Sequence, residues 1–381
     1  MNHGWSARKV PIKTKCQPGF GRVNGDNPNS NLRRWLGLLL AGLVAGSFTV
    51  LMWSRLYCEP QKATLVSGVA SSRSTIPATF EELIAAPASE IEHCDIALMN
   101  SLCSEGLPGA EDLIVTNSLF ILDEWAKHVR SETERNFHRY RDNPANFHHS
   151  EGYFRMLMMA VVMYEDFGIR YNPNRITMPG KIDPNDRFFA NAQDIFLNGL
   201  IKGQRMGTCS SMPVLYIAIG RRLGYPLKLV TTKAHLFVRW QSDTDYFNVE
   251  ATGKGMNRYD DEHFKQWPFP VTEAEMQTEG FLKSLTASEE LAVFLSLRGN
   301  CLKAAGRMTE ASECYASASR LAPTWNAYRA LLADTAESGS SSLSASKYVA
   351  PTQTQGTFDA ALPKQTVSGP DPNPLKQMNG Q

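Results

Sequence analysis

An uncharged apolar run near the N-terminus divides this chain into unlike parts. The run covers residues 35–53, contains 19 residues and reads WLGLLLAGLVAGSFTVLMW. A helix of this length spans about 28 Å, close to the thickness of the hydrocarbon core of a bilayer. A tryptophan lies at each end, Arg33 and Arg34 precede the run, and Arg55 alone follows it closely. By the positive-inside rule, the run predicts a transmembrane helix with a cytoplasmic N-terminus and the folded part on the outer, periplasmic or extracytoplasmic, side.

Two alternatives to an anchor remain open, a cleaved signal peptide and a buried core helix. The signal peptide fits less well, because its apolar region usually has only about 7 to 15 residues and its basic region is shorter than this one. Residues 1–34 carry seven Lys or Arg and one acidic residue, a charge of +6, which leaves −5 on the other 347 residues. Neither part has the clustered basic face of a nucleic-acid binder, and 43% hydrophobic residues exclude a disordered or collagen-like chain.

Composition and periodicity predict seven segments in the chain. Apolar residues at three- and four-residue spacing predict helices around residues 91–102, 113–129 and 152–167. The C-terminal segment is rich in Ser, Thr, Pro, Gly and Gln and is too polar to form a core. The predicted segments are a basic cytoplasmic leader at 1–34, a transmembrane anchor at 35–53, a stalk at 54–79, a helical N-terminal region at 80–175, a catalytic-type core at 176–285, tetratricopeptide-like helices at 286–335 and a disordered tail at 336–381.

A repeat-like pattern precedes that tail. Counted from Ala292, small residues fall at positions eight, twenty and twenty-seven, a tyrosine at twenty-four and a proline at thirty-two, as in a tetratricopeptide helix pair. Small residues at these positions let two helices pack closely. A single unit cannot form a core alone, so it must cover another helical surface. Packing on the preceding domain and a peptide-binding groove are equally compatible with this pattern.

The candidate nucleophile is Cys209. It follows Gly207 and leads into an apolar stretch that starts at Pro213, a residue typical of the first turn of a helix. We expect Cys209 to lie at or just ahead of a helix N-terminus, where the helix dipole and free N–H groups stabilise a thiolate. A structural, buried cysteine is the alternative, since cysteine is among the most buried residue types.

Three alternating runs follow and predict strands at residues 227–231, 234–240 and 246–252, the last two as an antiparallel hairpin. A four-residue loop at 241–244 would place His235 opposite Glu250, on one face of the sheet and with Cβ atoms about 5 Å apart. The pattern therefore supplies a nucleophile, a base and an orienting carboxylate, the three roles that acyl transfer needs.

The motifs at these positions match a known superfamily. Residues 207–209 (GTC), 233–237 (KAHLF) and 248–252 (NVEAT) resemble the Cys-His-acid core of transglutaminase-like proteins. The chain is most similar to the bacterial branch, which joins a helical N-terminal region, this core and a C-terminal tetratricopeptide unit; the similarity spans residues 80–333. The superfamily usually has Asp in the position of Glu250.

The resemblance implies an α+β fold with a papain/transglutaminase-like core, in which a helix carrying the cysteine packs on an antiparallel sheet. It implies that Cys209 attacks a carboxamide or peptide carbonyl, His235 shuttles the proton and Glu250 orients the imidazole. Asn248 is a second candidate for the orienting role. The backbone N–H of Cys209 is the first candidate for the oxyanion site and Gln204 the second.

These observations lead to two functional hypotheses. The first is a membrane-anchored thiol enzyme that hydrolyses or transfers acyl groups at protein or peptide amides. The second is a non-catalytic scaffold that binds a protein partner through its tetratricopeptide helices. No cofactor and no nucleic-acid partner are predicted, and no metal site is predicted because the other histidines form no cluster at zinc spacing.

Overall fold

Helices form most of the chain that the structure, a computed structural model, describes, namely residues 76–175, 187–252 and 256–340. The α-helices in chain order are α1 (Phe80–Ala85), α2 (Ala88–Ile91), α3 (Ile96–Leu102), α4 (Val115–Asp142), α5 (Glu151–Val161), α6 (Ala192–Ile195), α7 (Asn198–Ile201), α8 (Met212–Arg222), α9 (Asp261–Gln266), α10 (Glu273–Glu279), α11 (Ala287–Ala304), α12 (Met308–Leu321) and α13 (Asn326–Ser340).

Side-chain caps fix where several of these helices begin. The Asp95 carboxylate accepts hydrogen bonds from the N–H groups of Ala97 and Leu98, at 2.7 and 3.0 Å, at the start of α3. Thr286 and Glu289 form a reciprocal capping box at the start of α11. Such contacts satisfy N–H groups that have no partner within the helix, so the polar residues before each apolar stretch set its boundary.

The three helices predicted before residue 170 are confirmed, with changed ends. The first begins at Ile96, and the second continues to Asp142. The third, α5, is followed by a π-helical turn at Val162–Asp166. Most of α5 is buried, which agrees with its nearly continuous apolar sequence.

Two small sheets accompany the helices. Strands β1 (Arg170–Tyr171) and β2 (Met206–Gly207) form a parallel pair. Strands β3 (Leu227–Thr232), β4 (His235–Gln241) and β5 (Tyr246–Val249) form an antiparallel sheet in the order β3-β4-β5. The three strands predicted in this region, and the hairpin formed by the last two, are therefore confirmed.

The antiparallel sheet is covered on both faces. Leu229 and Val238 belong to the main hydrophobic core, together with residues of α8, which packs against β3 and β4. Val230 and Phe237, on the opposite face, form a second cluster with Phe264 of α9. Alternate residues of each strand therefore serve two cores, which explains why β4 is buried along nearly its whole length.

The C-terminal helices α11, α12 and α13 pack one on the next. A Cβ atom at Gly299 of α11 would lie 2.5 Å from the Tyr315 ring of α12, so glycine is needed for the close approach of these helices. The two helices occupy the segment in which the small-residue spacing predicts a helix pair. Their assignment as a tetratricopeptide unit stays a prediction. Helix α13 runs to Ser340, beyond the predicted start of the tail at residue 336.

A buried ion pair joins these helices to the sheet region. Arg221, at the end of α8, donates two hydrogen bonds to the Glu290 carboxylate of α11, at 2.9 and 2.5 Å. Glu290 is fully buried. Burial raises the pKa of the Glu290 carboxyl, and the Arg221 guanidinium opposes that rise. A bidentate pair of this kind fixes orientation, since the buried Glu290 carboxylate has lost its hydration and needs the Arg221 guanidinium, whose side chain is 32% exposed.

The predicted fold class is wrong and needs correction. The described chain contains helix and sheet but is mostly helical, because the N-terminal and C-terminal helices outweigh one three-stranded sheet and a two-residue strand pair. Cys209 is not carried by a helix, since α8 begins only at Met212. The single transmembrane helix included in that fold class is not found in the described chain either.

The prediction of a single-pass membrane protein is likewise corrected. Residues 35–53, with the leader and most of the stalk, lie outside the described residues. Within 76–175, 187–252 and 256–340, no helix combines the length and the apolar character needed to cross a bilayer. The 28-residue α4, for example, carries many charged side chains, each costly in hydrocarbon.

We expect Gly299→Ala to lower the free energy of unfolding by about 1 to 3 kcal/mol, because the new methyl group overlaps the Tyr315 ring. This loss exceeds the gain of about 1 kcal/mol that alanine gives in a helix. Urea unfolding measures the difference. In a Tyr315→Leu background the same substitution becomes neutral or stabilising; an equal loss there would contradict this packing explanation.

Candidate active site

Cys209 lies in a tight turn before α8. The Thr208 carbonyl accepts hydrogen bonds from the N–H groups of Ser211 and Met212, at 3.2 and 2.9 Å. The Ser211 hydroxyl accepts one from the Thr208 N–H at 3.0 Å. The turn is closed by its own polar groups, so Ser211 does not cap α8 with its side chain. Cys209 is therefore fixed ahead of the helix, with 3% of its surface exposed.

Gly207 allows the backbone before this turn to pack closely. A Cβ atom there would lie 2.7 Å from Leu200 and 2.8 Å from Met212. Gly207 also pairs with Tyr171 across the parallel strands β2 and β1. This pairing brings the Tyr171 side chain to the cysteine that follows two residues later.

The Cys209 thiol is protonated at neutral pH. Burial raises the pKa of the thiol well above its usual value, and the negative charge of Glu250 raises it further. The N–H of Cys209 itself and a hydrogen bond from Tyr171 lower the pKa but do not offset burial. The expectation of a thiolate stabilised by a helix N-terminus is thus wrong for the protein without substrate, and a base must remove the proton.

His235 and Glu250 form a buried pair. The Nε2 atom of His235 lies 2.5 Å from the Glu250 carboxylate, and both side chains are 1% exposed. The other carboxylate oxygen accepts hydrogen bonds from the N–H and the hydroxyl of Thr252, at 2.9 and 2.5 Å. Burial alone would raise the pKa of the Glu250 carboxyl, but His235 and Thr252 together bring it below its usual value. Glu250 is therefore ionised at neutral pH.

An ionised Glu250 determines the tautomer of His235. A carboxylate only accepts hydrogen bonds, so Nε2 of the neutral ring must carry the proton. The other ring nitrogen, Nδ1, then has a free lone pair. Nδ1 is buried and has no hydrogen-bond partner in the described part of the chain. In its neutral form the imidazole thus donates a hydrogen bond at Nε2 and has an acceptor atom at Nδ1.

The strand register differs from the predicted one by two positions. Asn248 lies opposite Arg239 rather than Phe237, because the loop of the hairpin begins one residue later than predicted. A register shift of two residues keeps every side chain on the same face of the sheet. His235 and Glu250 therefore still share one face, but they lie diagonally across the two neighbouring chain segments. The extra methylene of glutamate, relative to aspartate, helps to bridge the longer diagonal separation.

Asn248 and Gln204 do not join this pair. The side chain of Asn248 accepts a hydrogen bond from Arg239 at 2.8 Å and donates one to Asp261 at 2.7 Å, which ties the sheet to the start of α9. Gln204 is exposed in the bend before β2. Neither residue has a described contact with His235, and the carboxylate that contacts the imidazole is that of Glu250.

Cys209 lies in the same region as the pair. The charge of Glu250 acts on the Cys209 thiol, and Ser210, the next residue, lines the same cavity as His235.

The five cysteines of the described residues, Cys209 among them, are free thiols. Neither of the bridges that the cysteine spacing allows among them, Cys94 with Cys103 or Cys301 with Cys314, is therefore present.

Two residues of the site were missed by sequence reasoning. Tyr171 lies in a two-residue strand whose parallel pairing has no sequence signature. Thr252 closes the NVEAT motif, and its spacing from Glu250 could have suggested a local hydrogen bond. Aromatic rings also lie beside the imidazole. The ring centroids of Trp267 and Phe264 are 4.7 and 6.3 Å from the centroid of the His235 ring.

Comparisons with known proteins add little to this description. No protein-family model matches the chain, and no curated protein matches it. A solved structure that is similar is a crystal structure of menin, described as revealing its binding site for the Mixed Lineage Leukemia (MLL) protein, at 11% identity and a TM-score of 0.26. The match covers 68% of this chain and 66% of the menin chain, so the chain spans slightly less than two thirds of menin's length. A likeness of this size supports no conclusion about fold or function.

We expect long-range ¹H–¹⁵N NMR, recorded at a pH where the His235 ring is neutral, to show the Nε2–H tautomer, because Glu250 accepts that proton. Glu250→Gln removes the charged acceptor and should shift the Nε2–H resonance upfield, since charge-assisted hydrogen bonds are the stronger ones. Gln204→Ala is the control and should leave the His235 signals unchanged. An Nδ1–H tautomer in the unmodified protein would contradict this assignment.

Proposed function

We propose that this chain is a cysteine-dependent enzyme that transfers acyl groups from protein or peptide amides, and that it resembles transglutaminase-like proteins in its chemistry. The observation that carries the proposal is the buried His235, held at Nε2 by an ionised Glu250 and, among the residues that the structure describes, unpaired at Nδ1. A base oriented by a carboxylate is the arrangement that activates a neutral nucleophile. The proposed nucleophile is Cys209, whose thiol lies close enough to Glu250 for that charge to raise its pKa.

The proposed reaction has two halves. In the first, the Cys209 proton moves to Nδ1 of His235 as the sulfur attacks the amide carbonyl carbon. The tetrahedral intermediate collapses to a thioester when the C–N bond breaks and the imidazolium gives its proton to the departing amine. In the second half, water or an amine attacks the thioester and gives its proton to His235. The C–S bond then breaks as the imidazolium gives its proton to the sulfur, which restores the thiol and the neutral imidazole and yields an acid or a new amide.

Glu250 supports this reaction in a specific way. Its charge lies against Nε2 of His235, so it compensates the positive charge that the ring gains during proton transfer. The same charge disfavours a free Cys209 thiolate. Proton transfer coupled to attack is therefore the favourable route, and general-base catalysis of this kind contributes about 10²- to 10⁴-fold.

A second candidate is a non-catalytic scaffold that binds a protein partner through the C-terminal helices. The protonated Cys209 and its hydrogen bond to Tyr171 favour this candidate, because an inert buried cysteine has the same properties.

We expect p-nitrophenyl acetate to give a burst of p-nitrophenol and an acetyl group on Cys209, located by mass spectrometry. Cys209→Ala should abolish the burst, and His235→Ala should slow it by about 10²-fold or more. Cys94→Ser is the matched control, since Cys94 is the described cysteine that is not fully buried. Lack of acetylation at Cys209 in the folded protein would disprove the proposal and favour the scaffold.

The pH dependence of acetylation offers a further test. A raised thiol pKa means that the thiolate fraction at neutral pH is small and grows about tenfold per pH unit until that pKa is reached. In His235→Ala, acetylation depends on this free thiolate, so its rate should rise steadily through and above pH 9. The unmodified protein should acetylate already at neutral pH and depend less on pH. Parallel profiles for the two proteins would show that His235 does not act as the base.

A further inference from the structure

The hydroxyl of Tyr171 contacts the sulfur of the proposed nucleophile. Tyr171 lies in β1, and its pairing with Gly207 of β2 places it beside the turn that carries Cys209. The hydroxyl is hydrogen-bonded to the Cys209 sulfur and also lies 3.3 Å from the carbonyl oxygen of Arg175. Tyr171 therefore touches the atom that reacts in the proposed mechanism.

The Tyr171 hydroxyl has one proton and two neighbouring acceptors. A phenol donates a single hydrogen bond, so it donates either to the Arg175 carbonyl or to the Cys209 sulfur. The bond to the carbonyl, at 3.3 Å, is longer than the usual O–H···O bond of about 2.5 to 3.0 Å. A negatively charged acceptor forms a stronger hydrogen bond than a neutral one. The proton is therefore expected to turn to the sulfur once the sulfur gains negative charge.

The surroundings of Cys209 mostly oppose a negative sulfur. Burial raises the pKa of the thiol, and the charge of Glu250 raises it further. Within the described residues, the groups that lower this pKa are the N–H of Cys209 itself and the Tyr171 hydroxyl. The hydroxyl is therefore a side-chain donor available to the sulfur as its proton leaves.

Tyr171 keeps its own proton during this change. Burial raises the pKa of the Tyr171 hydroxyl well above its usual value, and the charges of an ionised Cys209, Glu250 and Asp194 raise it further. The Arg175 guanidinium opposes this rise but does not offset it. The phenol thus stays protonated at neutral pH and remains a donor when the sulfur becomes negative.

A single residue joins the segment that follows β1 to the turn of Cys209. The Asp194 carboxylate accepts hydrogen bonds from the side chains of Asn172 and Arg175, at 2.8 and 2.7 Å. The backbone carbonyl of Asp194 accepts one from the Thr208 hydroxyl at 2.5 Å, directly before the cysteine. Asp194 is 9% exposed. The phenol and the sulfur therefore lie on segments that are already fixed to each other, so the hydrogen bond between them needs little reorganisation when charge develops.

We propose that Tyr171 is a further catalytic residue, whose hydroxyl moves its hydrogen bond from the Arg175 carbonyl to the Cys209 sulfur as the thiol proton passes to His235. The inference rests on the proposed function and adds to it a donor that acts on the nucleophile. No covalent bond is made or broken at the phenol, because only its O–H group reorients. In the second half of the reaction, the same O–H group donates to the sulfur as the C–S bond breaks.

Alkylation of Cys209 by iodoacetamide tests this role apart from catalysis. In a His235→Ala protein the reaction depends on free thiolate, so its rate reports how well the surroundings stabilise a negative sulfur. A hydrogen bond to a charged group shifts such an equilibrium by about 10- to 10²-fold. About half of this effect, on a logarithmic scale, is offset because a less stabilised thiolate is the stronger nucleophile. Adding Tyr171→Phe should therefore slow alkylation at pH 9 by about 3- to 10-fold, measured by mass spectrometry of the Cys209 peptide.

The direction of the change separates the role of the hydroxyl from a role in packing. A site loosened by loss of the hydroxyl would be alkylated faster, not more slowly. Tyr246→Phe is the matched control and should leave the rate unchanged, because that ring is 56% exposed and its hydroxyl lies 3.5 Å from the Asp261 carboxylate. Equal or faster alkylation with Tyr171→Phe, or none at Cys209 in either protein, would overturn the inference.

Acetylation by p-nitrophenyl acetate gives a second measurement, with His235 in place. Tyr171→Phe should slow the burst by about 10-fold, since the sulfur loses a hydrogen bond that strengthens as its charge develops. An unchanged burst, with Cys209 still acetylated, would overturn the role of Tyr171 and leave the proposed function intact. Lack of acetylation at Cys209 in the unmodified protein would instead disprove the proposed function, and the alkylation rates would still decide whether Tyr171 stabilises the sulfur.

Discussion

The buried negative charge of Glu250 is the constraint on which the rest of the site depends. A carboxylate that is 1% exposed needs compensation from nearby groups, and His235 and Thr252 supply it. This requirement fixes the imidazole orientation, and within the described chain Nδ1 has no partner. Burial raises the pKa values of the Cys209 thiol and the Tyr171 hydroxyl, and the charge of Glu250 raises both further. One buried carboxylate thus adds to the effect of burial on the ionisable groups around it.

The position of this charge depends on how the sheet is held between two sets of helices. On one face of the sheet, α8 packs against β3 and β4; on the other, Phe264 of α9 covers Phe237. The Arg221–Glu290 pair then attaches the C-terminal helices to the end of α8. Those helices also form walls of the cavity that His235 and Ser210 line, so their packing shapes the space beside the site.

Much of the sheet could be predicted from the sequence, but its contacts could not. Alternation located three strands correctly, whereas the loop that sets their register was misplaced by one residue. That error changed the register by two and preserved the faces, so the pairing of His235 with Glu250 survived an incorrect alignment. The environment of Cys209 was misjudged because burial, which outweighs the helix dipole here, depends on distant segments such as β1.

A protonated Cys209 and an oriented imidazole also bear on the order of the steps in the proposed reaction. Moving the proton to Nδ1 of His235 creates a positive charge between two negative ones, the Glu250 carboxylate and the sulfur. In a buried site, this arrangement is most favourable when the negative charge of the sulfur moves immediately to a carbonyl oxygen that accepts a hydrogen bond. In the proposed reaction, proton transfer to His235 and attack on the carbonyl are therefore one step, because the pKa of the thiol, raised first by burial and then by Glu250, leaves little free thiolate at neutral pH to attack alone.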